Sequence, residues 1–265
     1  MRLAALSSSS SGNSIYVGND NTHILIDAGV SASTIEKGLN KLGLTLFDID
    51  AILITHEHSD HIKGLGVIER KHEIPIYATQ GTIEGIYESK SLGSFNTDVI
   101  KSIRELNSFN INDITVSPHE ISHDAYEPVC YSFETSGKKC AVVTDLGIYT
   151  DELINDLQNL NAILVESNHD VRMLEMGPYT YSLKKRILSD KGHLSNESCG
   201  RFVSKILNDS INTVMLGHLS DHNNMPELAY ESVKLEITMA DCKYNGNDFP
   251  VRIAKKSEIS EIINF

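Results

Sequence analysis

Thr55-His56-Glu57-His58-Ser59-Asp60-His61 is the stretch that decides the fold. It follows the apolar run Ala51–Ile54, which predicts a buried strand. Imidazole and carboxylate groups are suitable ligands for zinc, manganese and iron, and a loop that leaves a strand can aim them at two adjacent ions. The order H-x-H-x-D-H behind an apolar strand argues against the alternative, a loop that is His-rich by chance. The candidate ligands are His56, His58, Asp60 and His61.

Strand-like segments open both halves of the chain, and helical segments follow them. Strands are predicted at Met1–Leu6, Ser14–Val17 and His23–Asp27, and a second group includes a hairpin of Val129–Phe133 with Lys139–Asp145. This order predicts an α/β fold in which two β-sheets pack face to face with helices on the outer faces. Other predicted elements are helix His61–Glu73, strand Ser102–Leu106, strand Ala162–Glu166, strand Thr213–Leu216 and helix Pro226–Met239.

Neither a Pro-rich or charged linker nor an internal repeat interrupts the sequence, so we expect one domain over residues 1–265. The run Ser7–Gly12 has the composition of a flexible linker. Because it lies between two strands that are close in sequence, we interpret it as a tight loop at one end of a sheet.

The ligand loop resembles that of the metallo-β-lactamase superfamily. The resemblance implies a four-layer αββα sandwich of two mixed sheets, with a metal site at one edge of the sheets. In that family further ligands come from the ends of later strands, which here implies His123, Asp145 and His218. Asp27 matches the family's early aspartate, which supports the ligand loop from behind. His119 is a rival to His123, although the run His123-Asp124-Ala125 fits the family better.

Carried over position by position, the resemblance implies two divalent metal ions, manganese or zinc, with iron as a further option. One ion would be bound by His56, His58 and His123, and the other by Asp60, His61 and His218, with Asp145 bridging. Two cations about 3.5–4 Å apart lower the pKa of a bridging water, so that hydroxide is the expected nucleophile. Asp60 would also take or hold the proton of the attacking water.

Six runs narrow the resemblance to the YycJ/WalJ family of small proteins with this fold. They are Leu6–Ser14, Ser122–Pro128, Thr144–Gly147, Glu166–Asp170, Gly192–Asn196 and Leu216–Ser220. The resemblance implies a 5′-to-3′ exonuclease that acts on double-stranded DNA, with a role in mismatch repair and a preference for manganese. Asp145-Leu146-Gly147 departs from the commoner Asp-Thr-Gly, but the carboxylate remains.

Further polar residues are candidates for catalysis or substrate binding. His193 and the substrate-binding candidates Ser195 and Asn196 precede a helix, where backbone N–H groups can hold a phosphate. Plain helix capping is an equal alternative for this segment. His169 is a candidate general acid or a hydrogen-bond donor on the phosphate side, and the alternative is a surface loop residue. The first loop adds two more substrate-binding candidates, Ser11 and Asn13. Structural or surface positions are expected for His23, His72 and His222.

The composition limits the compartment and the partners. The net charge of −13 argues against a protein coated in nucleic acid, but it allows a local basic groove. Lys184-Lys185-Arg186 with Lys191 is the clearest basic cluster; it would meet a DNA backbone or form a solvated helix face. Four cysteines without a C-x-x-C pair indicate reduced thiols and the cytoplasm. No apolar run approaches the roughly 20 residues that span a bilayer, so we expect no membrane partner.

Two other functions compete with a nuclease. A small-molecule hydrolase acting on a thioester, lactone, cyclic phosphodiester or β-lactam would use the same ligands. A non-catalytic scaffold would not need the intact ligand set. The short stretch between Asp145 and His218 leaves no room for the large inserted domain of ribonuclease J, and no extended arm of the ribonuclease Z type is visible.

Overall fold

Two seven-stranded β-sheets form the centre of the molecule. The computed structural model describes residues 1–94, 96–104 and 106–265. The strands of the first sheet lie in the order β14-β1-β2-β3-β4-β5-β6. They are β1 (Arg2–Ser7), β2 (Ser14–Gly18), β3 (His23–Ile26), β4 (Ala51–Leu53), β5 (Ile76–Thr79), β6 (Ile100–Ile103) and β14 (Ile263–Asn264). Strands β3 to β6 are parallel, whereas β14, β1, β2 and β3 pair antiparallel.

The second sheet also combines parallel with antiparallel strands, and its strands lie in the order β13-β12-β11-β10-β9-β8-β7. Its strands are β7 (Phe109–Ile111), β8 (Ile114–Glu120), β9 (Val129–Thr135), β10 (Lys138–Val143), β11 (Ala162–Glu166), β12 (Thr213–Gly217) and β13 (Val251–Ile253). Strands β10 to β13 are parallel, and β7 to β10 pair antiparallel. Both sheets are therefore mixed, as predicted.

Helices cover the outer face of each sheet. They are α1 (Ala32–Asn40), α2 (Ser59–Ile62), α3 (Leu65–His72), α4 (Gln80–Glu88), α5 (Asp151–Asp156), α6 (Val171–Met176), α7 (Tyr181–Ile187), α8 (Asn196–Ile206) and α9 (Pro226–Met239). Pro226 begins α9, because its missing N–H has no helical partner to lose at that position. In the described part of the chain, no helix has the length and apolar character to cross a membrane.

Three apolar clusters define the four layers. One lies between the sheets and takes residues from both, such as Leu53 of β4 and Val142 of β10. A second packs α1, α3 and α4 on the first sheet, and a third packs α5, α8 and α9 on the second. Strands β11 and β12 are buried on both faces, which is why their sequences are continuous apolar runs. The single domain over residues 1–265 stays a prediction.

The predicted helix His61–Glu73 is wrong as one element, because the structure divides it into α2 and α3 at Gly64. The amide of Gly64 donates to the carbonyl oxygen of Ala28 at 2.7 Å, and Ala28 N donates to the His61 carbonyl oxygen at 2.8 Å. The loop after β3 therefore forms hydrogen bonds with the backbone groups of His61 and Gly64. Because these groups bond to the loop, the chain does not continue as one straight helix.

The predicted strand Ser102–Leu106 begins two residues earlier and ends at Ile103. Its register explains the shift, because Ile100 to Ile103 pair with Ile76 to Thr79, the full length of β5. Residue 105 lies outside the described residues. Sequence reasoning also missed the short elements α6, β7 and β14.

Tyr131 ties the two sheets together at the edge where the predicted ligand loop begins. Its buried hydroxyl, on β9, donates to the carbonyl oxygen of Ile54 at 2.8 Å, just before the ligand loop. We expect Tyr131→Phe to lower the free energy of unfolding by about 1–3 kcal/mol, because a buried carbonyl group loses its partner. Urea unfolding followed by circular dichroism would measure the change. Tyr181→Phe is the matched control, because this side chain is 83% exposed, and we expect a change within about 0.5 kcal/mol. An unchanged midpoint for Tyr131→Phe would contradict the assignment.

Candidate metal centre

The site lies where the parallel strands of both sheets end. Asp27 follows β3 and the ligand loop follows β4, while Asp145 follows β10 and His218 follows β12. Neighbouring parallel strands present their carboxyl ends at the same edge of a sheet. Because the two sheets pack face to face, these edges bring residues together that are far apart in the sequence.

The seven predicted ligands form a continuous cluster. Three groups have donor atoms within 4.8 Å of one another, and they are His56 with His58 and His123, His56 with His61 and Asp145, and Asp60 with His61 and His218. Asp145 lies between the outer groups: its Oδ2 is 3.0 Å from His61 Nε2 and its Oδ1 is 3.7 Å from His123 Nε2. Two of these groups contain the same three residues as the sets predicted for the two metals, whereas Asp145 is grouped with His56 and His61. The roles of the individual ligands stay predictions.

Two ring nitrogens support metal binding more directly than proximity does. Within the described residues, His56 Nε2 and His218 Nε2 are buried and have no hydrogen-bond partner. A buried polar atom without a partner costs free energy, and both atoms belong to the side chains of the cluster. A divalent cation would supply the missing partner, and the nitrogen and oxygen donors of this cluster suit zinc, manganese or iron. The residues present therefore fit metal ions.

Asp27 orients the second half of the ligand loop. Its buried carboxylate accepts hydrogen bonds from Thr55 N and Thr55 Oγ1, both at 2.9 Å, and lies 2.7 Å from His61 Nδ1. When Nδ1 donates to a carboxylate, Nε2 is the nitrogen that is left to bind a metal. The supporting role predicted for Asp27 agrees with this geometry.

Glu166 orients histidine rings from the second sheet, as Asp27 does from the first. Sequence reasoning assigned Glu166 no role. Its fully buried Oε1 is 2.8 Å from both His218 Nδ1 and His193 Nδ1, while Oε2 accepts from Leu146 N at 2.9 Å. Asp145, Glu166, His193 and His218 form a fourth group whose donor atoms lie within 4.8 Å of one another, and within it Glu166 is hydrogen-bonded to both histidines. A signal was present in the sequence, because Glu166 ends β11 between the strands that lead to Asp145 and His218.

The protonation of the cluster follows from burial and from the carboxylates. Burial lowers the pKa of His56 well below its ordinary value, so the imidazole is neutral, as a metal ligand must be. Burial acts on His61 in the same direction, but Asp145, Asp27 and Asp60 outweigh it and hold the pKa well above the ordinary value. For Asp60 burial raises the pKa, yet His61 and His218 reverse the shift to a value below the ordinary one. The carboxylates of the site thus favour positive charge beside them, which protonated His61 supplies when no cation is bound.

Three site residues have backbone angles that side chains rarely adopt. The φ angles of Asp27, Asp145 and His218 are 62°, 59° and 54°. This left-handed conformation is uncommon for residues other than glycine, and such outliers often lie at functional sites. Each of the three follows a strand directly or after one residue, so the unusual angle turns the side chain at the strand end.

The first loop approaches the ligand loop closely. Asn13 N donates to the Asp60 carbonyl oxygen at 2.8 Å, and Asn13 Nδ2 lies 3.3 Å from His61 Nε2. At Gly29 an added Cβ would lie 1.6 Å from the same Asp60 carbonyl oxygen, so only glycine fits. Asn13 is therefore buried against the site, whereas Ser11 is exposed and its hydroxyl lies 3.0 Å from that of Ser9. As predicted, Ser7–Gly12 ends in a tight loop.

The segment before α8 is used mainly for capping. Ser195 Oγ accepts from Ser198 N at 3.2 Å and caps the helix. Asn196 is fully buried and its amide exchanges hydrogen bonds with Asn224, both at 2.9 Å. The substrate-binding roles of both residues stay predictions, and their side chains already have protein partners.

His193 and His169 lie beside the cluster. The side chain of His193 is 14% exposed, and its ring centroid is 5.2 Å from that of His123. His169 is buried, which lowers its pKa to about 4, and its Nε2 has no hydrogen-bond partner within the described residues. Both catalytic assignments stay predictions.

His119 lies away from the cluster and contacts Asp156 Oδ2 at 3.1 Å and Ser132 Oγ at 2.9 Å. Among the described residues, the metal-competent groups contain His123 and not His119, which agrees with the choice made from the sequence. The other three histidines contact side chains outside those groups: His23 contacts Tyr16, His72 contacts Phe47 and His222 contacts Tyr179.

The sequence is similar to a known superfamily domain and to two named nucleases. The family model described as "Beta-lactamase superfamily domain" matches residues 22–218. Exodeoxyribonuclease YycJ of Bacillus anthracis is 42% identical over 235 residues, which are 88% of each chain. Exodeoxyribonuclease WalJ of Streptococcus pneumoniae is 39% identical over 251 residues, 94% of this chain and 93% of WalJ.

A solved structure shows the same fold at low sequence identity. Zn²⁺-bound PqqB from Methylobacterium extorquens superposes with a TM-score of 0.72 at 17% identity and covers 98% of this chain and 100% of its own. The four-layer architecture predicted from the sequence is confirmed, and the chain is a metal-dependent hydrolase. From the domain match and the two full-length relatives, it follows that this chain belongs to the β-lactamase superfamily and, within it, to the family of the exodeoxyribonucleases YycJ and WalJ.

Proposed function

We propose that the protein is a metal-dependent exonuclease that degrades double-stranded DNA from the 5′ end and works in mismatch repair. The observation that carries the proposal is the cluster itself: two groups of three ligands, with Asp145 Oδ2 3.0 Å from His61 of one group and Oδ1 3.7 Å from His123 of the other. It occurs in a chain that is 39–42% identical, over most of its length, to two proteins named exodeoxyribonucleases. Hydrolysis of a phosphodiester suits a site with two adjacent cations.

The chain would hold two divalent ions. His56, His58 and His123 would bind one ion, and Asp60, His61 and His218 the other, with Asp145 between them. We propose manganese as the native metal, with zinc or iron as alternatives. Bound ions would polarise the phosphate and supply an activated water as the nucleophile.

The side chains around the ions would manage two protons. As the water oxygen bonds to phosphorus, it releases a proton, which we assign to the Asp60 carboxylate, whose side chain is 24% exposed. As the bond from phosphorus to the 3′ oxygen of the departing nucleotide breaks, that oxygen takes a proton. We assign this proton to His193 Nε2, because Glu166 binds Nδ1 at 2.8 Å and leaves Nε2 free to donate. His169 would assist as a phosphate-side donor.

We place the activity in the cytoplasm. Cys130, Cys140, Cys199 and Cys242 are all free thiols, and the first three are buried. Reduced cysteines are typical of that compartment. Ser11, Asn13, Ser195 and Asn196 are the proposed substrate-side residues, and Asn13 is the one whose side chain contacts a ligand of the cluster.

Nuclease activity is the direct test. With manganese, we expect the protein to release mononucleotides from a 5′-phosphorylated duplex, because both ligand groups are complete. His58→Ala should abolish release, whereas His119→Ala should retain it, since His119 lies outside the cluster. Chromatography of the products would measure both. If the wild type releases no nucleotide but hydrolyses a thioester or a lactone, the small-molecule alternative is correct and the nuclease proposal fails.

Metal content tests the ligand assignment separately. After reconstitution we expect about two divalent ions per chain, as in other two-metal sites, measured by inductively coupled plasma mass spectrometry. His218→Ala should lower the ratio to about one, because it removes a ligand of one group only. His222→Ala is the control, since its ring contacts Tyr179, and it should leave the ratio unchanged. Fewer than one ion in the wild type would contradict the site.

Glu166→Gln tests the positioning of the two histidines. The amide N–H group of glutamine cannot accept a hydrogen bond, so either the histidines or Leu146 N would lose a partner. We expect metal affinity or kcat to fall about 10- to 100-fold. Glu231→Gln, at an exposed position of α9, should change neither quantity. Wild-type values for Glu166→Gln in both measurements would show that the hydrogen bonds do not position the histidines.

A further inference from the structure

The segment from α7 to Lys191 carries a local positive charge on an acidic protein. Between residues 181 and 191 the sequence has four cations and one acidic residue, Asp190, whereas the whole chain has a net charge of −13. The cations are Lys184, Lys185, Arg186 and Lys191. Lys185, Arg186 and Lys191 are exposed, and Lys184 is half-buried. We call this segment the basic edge.

Backbone contacts join the basic edge to the metal centre. His193 N donates to the Ile187 carbonyl oxygen at 3.0 Å, which folds the chain after α7 back onto the helix. The carbonyl oxygen of Gly192 lies 3.1 Å from His123 Nδ1. A ligand of the cluster is therefore in direct contact with the residue that follows Lys191.

Arg186 makes a second connection. Its guanidinium forms a bidentate pair with Asp124, and Asp124 Oδ1 lies 3.4 Å from His123 Nε2. Lys191 lines a cavity of 540 Å³ that it shares with Ser122, His123 and Tyr126. Lys191, at the end of the basic edge, thus lines a space that also contains a ligand of the cluster.

The lysines of the basic edge keep their charge uncompensated. Arg186 pairs with Asp124, but among the described residues no carboxylate forms an ion pair with Lys184, Lys185 or Lys191. Lys184 Nζ donates to the carbonyl oxygen of Glu175 at 2.7 Å, which is a neutral acceptor. Three ammonium groups, two on α7 and one at Lys191, are therefore available for an anionic partner.

The surface next to these lysines is apolar and aromatic. Tyr181 is 83% exposed and Met176 is 87% exposed, and Leu188 is half-exposed beside them. Tyr181 and Leu188 line one cavity with Lys184, Lys185 and Glu175, so two cations outnumber one carboxylate there. Aromatic rings that adjoin basic groups bind nucleic acids by stacking on bases while the cations meet phosphates.

We infer that the basic edge holds the phosphate backbone of the DNA next to the scissile bond, with Tyr181 against a base at the duplex end. This inference rests on the proposed nuclease function and names the surface that binds its substrate. A DNA backbone is the occupant that fits. Lys184 and Lys185 lie on α7, Lys191 follows it, and the chain then reaches the cluster that would cleave the DNA. The 540 Å³ cavity is also lined by Glu152 and Asp156, which would repel phosphates, whereas Lys191 would attract them. The backbone therefore approaches from α7.

The double variant Lys184→Gln with Lys185→Gln tests this surface in the reconstituted protein. Each lysine–phosphate contact contributes about 0.9 to the slope of log affinity against log salt concentration, so the slope should fall by roughly 1.8 in the double variant. KM for duplex DNA should rise, whereas hydrolysis of bis(p-nitrophenyl) phosphate should stay at the wild-type rate, because the small ester does not reach α7. Lys37→Gln with Lys71→Gln, exposed residues of α1 and α3, removes the same charge far from α7 and should change neither quantity.

Binding is measured by fluorescence anisotropy with a duplex whose terminal linkages are phosphorothioates that resist cleavage. Lys185→Gln alone, at an exposed position, serves if the double variant does not fold, and its slope should fall by about 0.9. An unchanged slope and an unchanged dissociation constant overturn the inference, whether or not DNA is cleaved. If the wild type releases no nucleotide but the slope falls as expected, the proposed nuclease function fails while the binding surface stands.

Discussion

The buried carboxylate of Asp27 is the interaction on which the metal centre depends. An ionised carboxylate is expensive to bury unless it is fully hydrogen-bonded, and here Thr55 and His61 supply the bonds. The same contacts fix the start of the ligand loop and the ring of its last histidine. Asp27 follows β3 and Thr55 follows β4. The pairing of these two parallel strands therefore determines where the His61 ring points.

Glu166 repeats this arrangement in the second sheet. It ends β11 and orients His193 and His218, as Asp27 orients His61. Each sheet therefore contributes one buried carboxylate that binds the Nδ1 side of a histidine. The left-handed backbone at Asp27, Asp145 and His218 belongs to the same edge. Such conformations cost about 1–3 kcal/mol each, and the packed sheets on both sides hold them in place.

The charges of the molecule are distributed unevenly around the sheet edge that carries the cluster. Carboxylates gather at the sheet edge, where they make the pocket favourable for cations, and they contribute to the acidic total of the chain. The cations of α7 and Lys191 lie at the rim of this pocket, tied to it through Arg186 and Asp124. A pocket whose carboxylates favour cations, beside a positive rim, is consistent with a site that binds metal ions inside and a polyanion outside.

The sequence by itself determined the two sheets, the ligand loop and the polar residues that follow the strands. The reason is that apolar periodicity and ligand spacing are local properties of the chain. It also distinguished His123 from His119 through a family pattern. Only the tertiary structure decided that Glu166 holds two histidines and that the Asn196 side chain is occupied by Asn224. It also divided the helix after the ligand loop at Gly64. The physical reason is that these contacts join residues from different strands and loops, and no local pattern encodes which buried polar groups will meet.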